Sequence, residues 1–239
     1  LLLDTGASNL FAENAEKLNI DLKDIDFAVL SHAHYDHANG MEKFFEINRK
    51  ATFYLQEGCG ENCYFKKGFI RKYIGIPKGI TKKYQDRIEY VSGVYTVADG
   101  IYLVSHSTPH LEQIGKKEMM YQKTKLGWKP DNFCHEQSLV LDTDGGLVIF
   151  NSCSHGGVVN IINEVKAAFP NKKITALIGG FHIFNHPEAE IRELAKLIKE
   201  TGIERIYTGH CSKERGYRIL REELGDMAGQ FYVGMELVF

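Results

Sequence analysis

Four apolar, strand-type segments of this chain each run into a histidine, and this repeated pattern constrains the fold more than any other feature. The segments end at His32, His155, His182 and His210. In sheets of the α/β class, sites form where the carboxyl ends of strands meet. Glycines next to the last three histidines allow the backbone to turn sharply and approach a site closely. We therefore expect the four strand ends to converge on one site.

Strand and helix patterns alternate in both halves of the chain, which favours an α/β fold with covering helices. Two hairpins are predicted in the middle, one turning at Asp99-Gly100 and one at residues 143–146. A short last strand is predicted over 231–239, broken by Gly234. The other predicted elements are helices near 9–18, 40–48, 158–169, 187–200 and 213–224, and strands at 27–30, 52–55, 138–141, 147–150, 174–178 and 205–207.

Length and composition set broad limits. The 239 residues fit one large domain or two small ones, and we expect a single domain over 1–239. A net charge of −2 disfavours a general nucleic-acid binder. No run of about 18 apolar residues exists, so we expect no membrane-spanning segment. The opening Leu1-Leu2-Leu3-Asp4 is typical of the end of a buried strand, so we expect an earlier strand to be absent from the sequence.

The five cysteines are odd in number and widely scattered. This distribution indicates reduced thiols in a cytoplasmic protein rather than a disulfide framework. Cys59 and Cys63 lie close together in the chain, yet we expect them to be incidental loop residues rather than a metal pair. Cys153 and Cys211 stand beside strand-ending histidines, where we expect them to serve as packing groups, with thiols of lowered pKa near a metal as the alternative.

The first strand-ending histidine opens the cluster His32-Ala33-His34-Tyr35-Asp36-His37. In an extended loop, residues two apart point the same way, so His32 and His34 can hold one ion together. Asp36 and His37 follow at once and are placed to hold a second ion. Imidazole suits zinc better than iron or manganese, and the carboxylate widens the choice of metal. The cluster therefore predicts a pair of divalent metal ions, with zinc favoured and manganese or iron as alternatives.

This HAHYDH segment resembles the H-x-H-x-D-H signature of the metallo-β-lactamase superfamily, and the resemblance extends over most of the chain. Leu3-Asp4-Thr5-Gly6 matches the family's strand-ending aspartate, Cys153-Ser154-His155 its next histidine motif, and Gly209-His210 its last. The resemblance implies an αββα four-layer sandwich with two mixed sheets and the metals at one edge. It also implies that Asp4 supports a ligand histidine. One metal would take His32, His34 and His155, and the other Asp36, His37 and His210.

One departure from the family pattern concerns His182. The superfamily usually places a metal-bridging aspartate at the end of this strand, whereas this chain has Gly179-Gly180-Phe181-His182. The departure resembles the branch named for dihydropterin–ribofuranosylaminobenzene phosphate synthase. His182 is expected to ligate a metal in place of the aspartate or to hydrogen-bond the substrate, the alternative being a structural histidine.

The remaining histidines carry weaker signals. His135 and Glu136 are predicted to supply a proton-transfer group near the mouth of the site, with a surface role as the alternative. We expect a structural role for His106 and His110, and a surface position for His186.

A basic segment bears on the substrate. Residues 65–87 contain eight cations and a single acid, Asp86. Such a charge run is usually a solvated helix face. The alternative is a lid-like insertion around 58–90 that folds over the metals and favours a phosphate-bearing or otherwise anionic substrate. Its aromatic residues could stack on a flat ring.

The sequence thus predicts metal-assisted hydrolysis of a small anionic ester or phosphoester by Asp36, His182, His135 and Glu136 around the metals. The resemblance also implies a transferase that joins a pterin to an aminobenzene ribose phosphate. A nucleic-acid-processing nuclease and a non-catalytic metal-binding protein are further alternatives. The sequence gives no prediction of the oligomeric state.

Overall fold

The computed structural model describes all 239 residues, and the chain contributes two stretches to each of two units. The first unit contains Leu1–Ser92 and Pro109–Gln137, and the second contains Gly93–Thr108 and Ser138–Phe239. The single domain expected over 1–239, with its insertion around 58–90, stays a prediction. Elements are numbered along the whole chain.

The first unit contains a four-stranded parallel sheet. Its strand order is β1-β2-β3-β6, and every neighbouring pair is parallel. A second, antiparallel sheet has the order β10-β9-β4-β5. The elements are β1 (Leu2–Leu3), α1 (Leu10–Lys17), β2 (Phe27–Val29), α2 (Tyr35–Ala38), α3 (Met41–Ile47), β3 (Thr52–Gln56), β4 (Cys63–Lys67), β5 (Ile70–Tyr73), α4 (Ile80–Lys83), β6 (Ile88–Val91), α5 (Glu112–Lys117), β9 (Met120–Thr124) and β10 (Gly127–Pro130).

The core of the first unit lies between α3 and the parallel sheet. Met41, Phe44 and Phe45 are fully buried on one face of α3, as the helical spacing of three and four residues requires. Phe53 of β3 packs against both phenylalanines, with ring centroids 5.8 and 5.5 Å away. This packing anchors the loop between β2 and α3, which contains the histidine cluster.

Strands of the second unit form one seven-stranded mixed sheet with the order β15-β14-β13-β12-β11-β8-β7. The four strands β12 to β15 are parallel, and the pairs β7–β8 and β11–β12 are antiparallel. The elements are β7 (Val94–Ala98), β8 (Ile101–Ser105), β11 (Gln137–Thr143), β12 (Gly146–Phe150), α6 (Val158–Ala168), β13 (Ile174–Gly179), α7 (Glu188–Glu200), β14 (Arg205–Thr208), α8 (Lys213–Leu224) and β15 (Ala228–Gln230).

Helices of the second unit are amphipathic. On α7, Ile191, Ala195 and Ile198 are fully buried at a spacing of four and three residues. They join the apolar cluster that includes Leu177 of β13 and Ile206 of β14. The longest helix, α7, has 13 residues. No helix combines the length and hydropathy that crossing a bilayer requires.

Both predicted hairpins are present, but the predicted last strand is wrong. The hairpins turn at Gly100 and Gly146, whose φ angles of +72° and +124° suit glycine. The last strand is β15, over Ala228–Gln230, and residues 231–239 form no strand. Gly229 fits beside β14 because a Cβ there would lie 2.6 Å from the Tyr207 ring. Val233 and Val238 are exposed, so their β propensity gains no burial.

The first part of the basic segment forms a hairpin, and Lys82 and Lys83 of its second part lie on the short helix α4. Lys66, Arg71 and Lys72 lie on β4 and β5, which pair in antiparallel fashion around Gly68. Lys66 lies over the Tyr121 ring and Arg71 over the Trp128 ring, at 4.9 and 5.3 Å from the centroids. Cation–π contacts of this kind orient the charged groups.

We predict that Gly179→Ala destabilises the second unit strongly. An added Cβ at this end of β13 would overlap the backbone carbonyl oxygen of Asn151, which cannot move without breaking the sheet. We expect a loss of about 3 kcal/mol in the free energy of unfolding, measured by urea denaturation. The control is Gly145→Ala, where the nearest atom, Thr143 Oγ1, lies at an ordinary 3.6 Å. Equal stability of the two variants would contradict the prediction.

Candidate functional site

The histidine cluster of the first unit follows β2 and leads into α2. Its three imidazoles are buried, with exposures of 0% for His32, 4% for His34 and 6% for His37. The His32 ring centroid lies 4.7 Å from that of His34 and 4.3 Å from that of His37. Asp36 is partly exposed, and its Oδ2 lies 3.8 Å from His37 Nε2. The structure thus brings the four predicted ligands of this unit together.

Asp4 orients two of these imidazoles from the end of β1. Its Oδ1 accepts the Ser31 backbone N–H at 2.7 Å, and its Oδ2 accepts the Ser31 hydroxyl at 2.7 Å. Oδ2 also lies 2.7 Å from His37 Nδ1, and Ser31 Oγ lies 2.8 Å from His32 Nδ1. Donation from both Nδ1 atoms leaves the imidazole lone pair on Nε2, the nitrogen that such a histidine offers to a metal.

The charge state of His34 also suits a ligand. Burial is the main cause that lowers the pKa of His34, to about 3, and the neighbouring His135 contributes to the same shift. The imidazole is therefore neutral at pH 7, and only the neutral form coordinates a metal.

His135 and Glu136 are both fully buried. His135 Nδ1 accepts the backbone N–H of Ala33 at 3.1 Å, inside the histidine cluster. Its Nε2 lies 3.1 Å from Oδ2 of Asp131, to which it donates. Both ring nitrogens of His135 therefore hold the cluster in place, and the predicted proton-transfer role of the pair stays a prediction.

Sequence reasoning missed a second group of donors in the first unit. Ligand atoms of His34, Cys63, Asp131 and His135 all lie within 4.8 Å of one another, and all four residues are buried. Asp131 and His135 stand four residues apart, but Cys63 is far from both along the chain. No spacing in the sequence indicates that β4 places Cys63 in this group.

Three histidines of the second unit meet at one edge of its sheet. His155, His182 and His210 follow β12, β13 and β14, which are neighbours and run parallel. The rings of His155 and His182 have centroids 4.4 Å apart. His155 is buried, His182 is partly buried and His210 is exposed. The predicted convergence of strand ends is therefore present for the three strands of this unit.

Left-handed backbone marks the same three strand ends. Ser154, His182 and His210 have φ angles of 52°, 50° and 47°. Non-glycine residues seldom adopt this conformation, and where they do it clusters at functional sites. Gly180 is required for a different reason, because a Cβ there would lie 2.5 Å from Cys211 Sγ and 2.8 Å from the Ser152 carbonyl oxygen.

His106 supports the loop that contains His155. Its Nδ1 lies 2.8 Å from Oε2 of Glu164, whose Oε1 accepts the backbone N–H groups of Ser107 and Thr108. Burial raises the pKa of Glu164, but the hydrogen bonds from His106 and Thr108 outweigh it, so the pKa is lowered. The His106 ring packs so closely on Gly156 that a Cβ would overlap it. These contacts agree with the structural role expected for His106.

The donor chemistry of each unit fits divalent metal ions. The first unit offers three buried imidazoles and the Asp36 carboxylate, and the second offers three imidazoles with two cysteines beside them. Imidazole and thiolate suit zinc and iron, whereas a site for magnesium or calcium would be built from oxygen ligands. Metal binding is therefore the chemistry that both groups support.

Comparison with known proteins defines the class. Residues 1–116 match the metallo-β-lactamase superfamily. A solved structure of a metal-dependent hydrolase of the β-lactamase superfamily superposes with a TM-score of 0.83 and 27% sequence identity, covering 100% of this chain and 88% of that one. The chain therefore has the metallo-β-lactamase fold, and both the predicted fold class and the predicted family resemblance are confirmed. The structure adds a third, antiparallel sheet to the two that were expected.

A named relative lies in the expected branch. The chain is 28% identical over 243 residues to a 7,8-dihydropterin-6-methyl-4-(β-D-ribofuranosyl)-aminobenzene-5′-phosphate synthase of Methanocaldococcus jannaschii, covering 95% of this chain and 79% of the relative. A diphosphatase of the PhnP family superposes with a TM-score of 0.55 at 11% identity, which shows a shared fold only.

We predict that Asp4→Asn weakens metal binding. The amide cannot accept hydrogen bonds from Ser31 and His37 as the carboxylate does, so both imidazoles lose their fixed orientation. Zinc affinity, measured by competition with a chromophoric chelator, should fall about 10-fold or more. The control is Asp26→Asn, which removes only an exposed ion pair with Lys50. Unchanged affinity in Asp4→Asn would show that Asp4 does not orient the ligands.

Proposed function

We propose that this protein is a metal-dependent hydrolase with a dinuclear centre that acts on a small, phosphate-bearing anion. The observation that carries the proposal is the buried cluster of His32, His34 and His37, whose ring orientation Asp4 fixes. A polar group as large as imidazole is costly to bury, so three together indicate a site that uses them. The proposed ligands are those that the resemblance implies: His32, His34, Asp36, His37, His155 and His210, with His182 in addition.

When bound, two divalent ions would polarise the electrophile and stabilise the negative charge that develops on its oxygens. We propose zinc for both, with manganese and iron as alternatives. Individual side chains of this protein would contribute in different ways. Ser31 and Asp4 keep the His32 and His37 rings in the tautomer that ligates. We propose that His182, whose ring centroid lies 4.4 Å from that of His155, ligates a metal or hydrogen-bonds the substrate.

Cations of the β4–β5 hairpin support an anionic substrate. The Tyr35 backbone N–H, inside the histidine cluster, donates to the Ile74 carbonyl directly after β5 at 2.9 Å. Lys72 of β5 lies over the Tyr35 ring, with Nζ 5.7 Å from the centroid. We propose that this positive charge, held over the ring of a residue inside the histidine cluster, attracts a phosphate group of the substrate.

A transferase is the second candidate, favoured by the named relative. That relative is called a synthase, and its name includes a dihydropterin and a ribofuranosyl aminobenzene phosphate. The product of such a reaction also contains a phosphate, so the same cations would serve. An assay with a pterin diphosphate and aminobenzene ribose phosphate separates the two candidates. A joined product, with no hydrolysis of simple phosphoesters, would favour the transferase.

We predict that loss of the cluster abolishes metal content and turnover together. His32→Ala removes an imidazole on which the other two pack, so bound zinc and phosphoesterase activity should each fall more than about 100-fold. Removal of metal with a chelator should abolish turnover, and added zinc should restore it. Metal content is measured by plasma mass spectrometry and activity on a phosphoester panel.

The matched control is His186→Ala, since this histidine is partly exposed and its Nδ1 lies 3.4 Å from Oε2 of Glu190. It should keep full metal content and activity. Full activity of a verified metal-free preparation would refute the proposed function.

We predict that Lys72→Gln weakens binding of phosphate-bearing substrates selectively. The change removes the cation beside Tyr35 and leaves a polar, uncharged side chain that is one atom shorter. KM for a phosphoester should rise about 5-fold, while KM for an uncharged ester should stay unchanged. Lys67→Gln, an exposed position on the same hairpin, is the control. An equal effect on charged and uncharged substrates would contradict a role in anion binding.

A further inference from the structure

Cys153 lies between two groups of candidate ligands in the second unit. Its Sγ lies within 4.8 Å of ligand nitrogens of His155 and His182. It also lies within 4.8 Å of a ligand nitrogen of His210 and of Cys211 Sγ. Cys153 is 3% exposed. A buried sulfur atom thus has all three strand-ending histidines of the unit as neighbours.

The fold produces this position through the turn after β12. Cys153 follows β12 by three residues, at the edge where β13 and β14 also end. Ser154, with its left-handed backbone, separates Cys153 from His155. The strained residue therefore sits between two potential donor side chains, where strain of this kind is expected to serve a function.

Cys211 has a different environment. Its Sγ accepts the His182 backbone N–H at 3.2 Å and lies 3.9 Å from the Cys153 carbonyl oxygen. The absence of a side chain at Gly180 makes room for this sulfur atom. Cys211 is thus held by hydrogen bonds to both neighbouring strand ends, and it fixes where these ends lie. We regard it as a positioning residue.

We propose that Cys153 supplies a thiolate ligand to the metal centre of this protein. The inference rests on the proposed function, because it assigns a sulfur donor to the same centre. On metal binding the Cys153 thiol would release its proton to solvent, and its sulfur would hold the metal as a thiolate. The centre then has nitrogen and sulfur donors, a set that selects zinc or ferrous iron over magnesium and manganese.

The first unit contains a competing thiol, Cys63, in the group with His34, Asp131 and His135. The His135 and Asp131 side chains of that group already hydrogen-bond to other protein groups. His135 joins Ala33 to Asp131, and Asp131 Oδ1 accepts from Gln122 and from the Phe133 backbone N–H. Cys63 and Cys153 lie in different units, so single substitutions can show which of the two thiols binds the metal.

Cobalt(II) is the probe, since it replaces zinc and gives two separate signals. Visible ligand-field bands report that the ion is bound, and a near-ultraviolet charge-transfer band reports a thiolate ligand. The whole chain is stripped of metal, loaded with cobalt and compared with Cys153→Ser, Cys211→Ser and Cys63→Ser. The controls are Cys59→Ser and Cys134→Ser, which change thiols outside the second unit.

We expect the wild-type protein to show both signals, and Cys153→Ser to lose the charge-transfer band while it keeps ligand-field bands. The band should persist in Cys63→Ser and in both controls. A second measurement, which does not depend on the folding of Cys153→Ser, uses zinc-loaded protein in which Cys63 and Cys211 are both replaced by serine. X-ray absorption at the zinc edge should show a sulfur scatterer at about 2.3 Å.

Each other outcome overturns the inference. Ligand-field bands without a charge-transfer band would mean that no thiolate ligates, and the proposed function would stand. Loss of the band only in Cys63→Ser or only in Cys211→Ser would assign the sulfur ligand elsewhere. Failure of the wild-type protein to bind cobalt or zinc at all would refute the proposed function as well.

Discussion

The hydrogen bonds of the Asp4 carboxylate are the interaction on which the candidate site of the first unit depends. Burial of three imidazoles side by side costs free energy unless their ring nitrogens have partners. Asp4 provides these partners, directly for His37 and through Ser31 for His32. It can do so because β1 and β2 are parallel neighbours, so that their carboxyl ends meet. The order of strands in the sheet therefore determines the chemistry of the histidines.

The sequence predicts much of this arrangement because the relevant signals are local. Apolar runs that end in histidine indicate buried strands, and the parallel order of β12, β13 and β14 brings three of these ends to one edge. The helices and hairpins also follow from short-range patterns, such as the glycine at each hairpin turn. The family resemblance adds the aspartate at position 4, whose partners no pattern of spacing would reveal.

Features that the sequence does not predict depend on contacts between distant residues. His135 reaches Ala33 across 102 positions, and Cys63 joins the same group from β4. The basic segment looks like a helix face by composition, but the turn at Gly68 and the pairing of β4 with β5 and β9 make its first part, up to Tyr73, part of a sheet. At the carboxyl end of the chain, the β propensity of the residues suggests a strand over 231–239. Residues 228–230 pair with β14 instead, and the small Gly229 fits there because a Cβ would overlap the Tyr207 ring.

Backbone strain in the second unit supports a functional use of its three strand ends. Each left-handed, non-glycine residue costs on the order of 1–3 kcal/mol. Ser154, His182 and His210 together thus use a substantial part of the about 5–15 kcal/mol by which a domain is normally stable. Glycine at any of these positions would relieve the strain, and the chain does use glycine within two residues of all three. His182 and His210 keep a strained backbone, which is explained if their imidazoles are needed at the site. The free energy of binding a metal ion would be large enough to offset this strain.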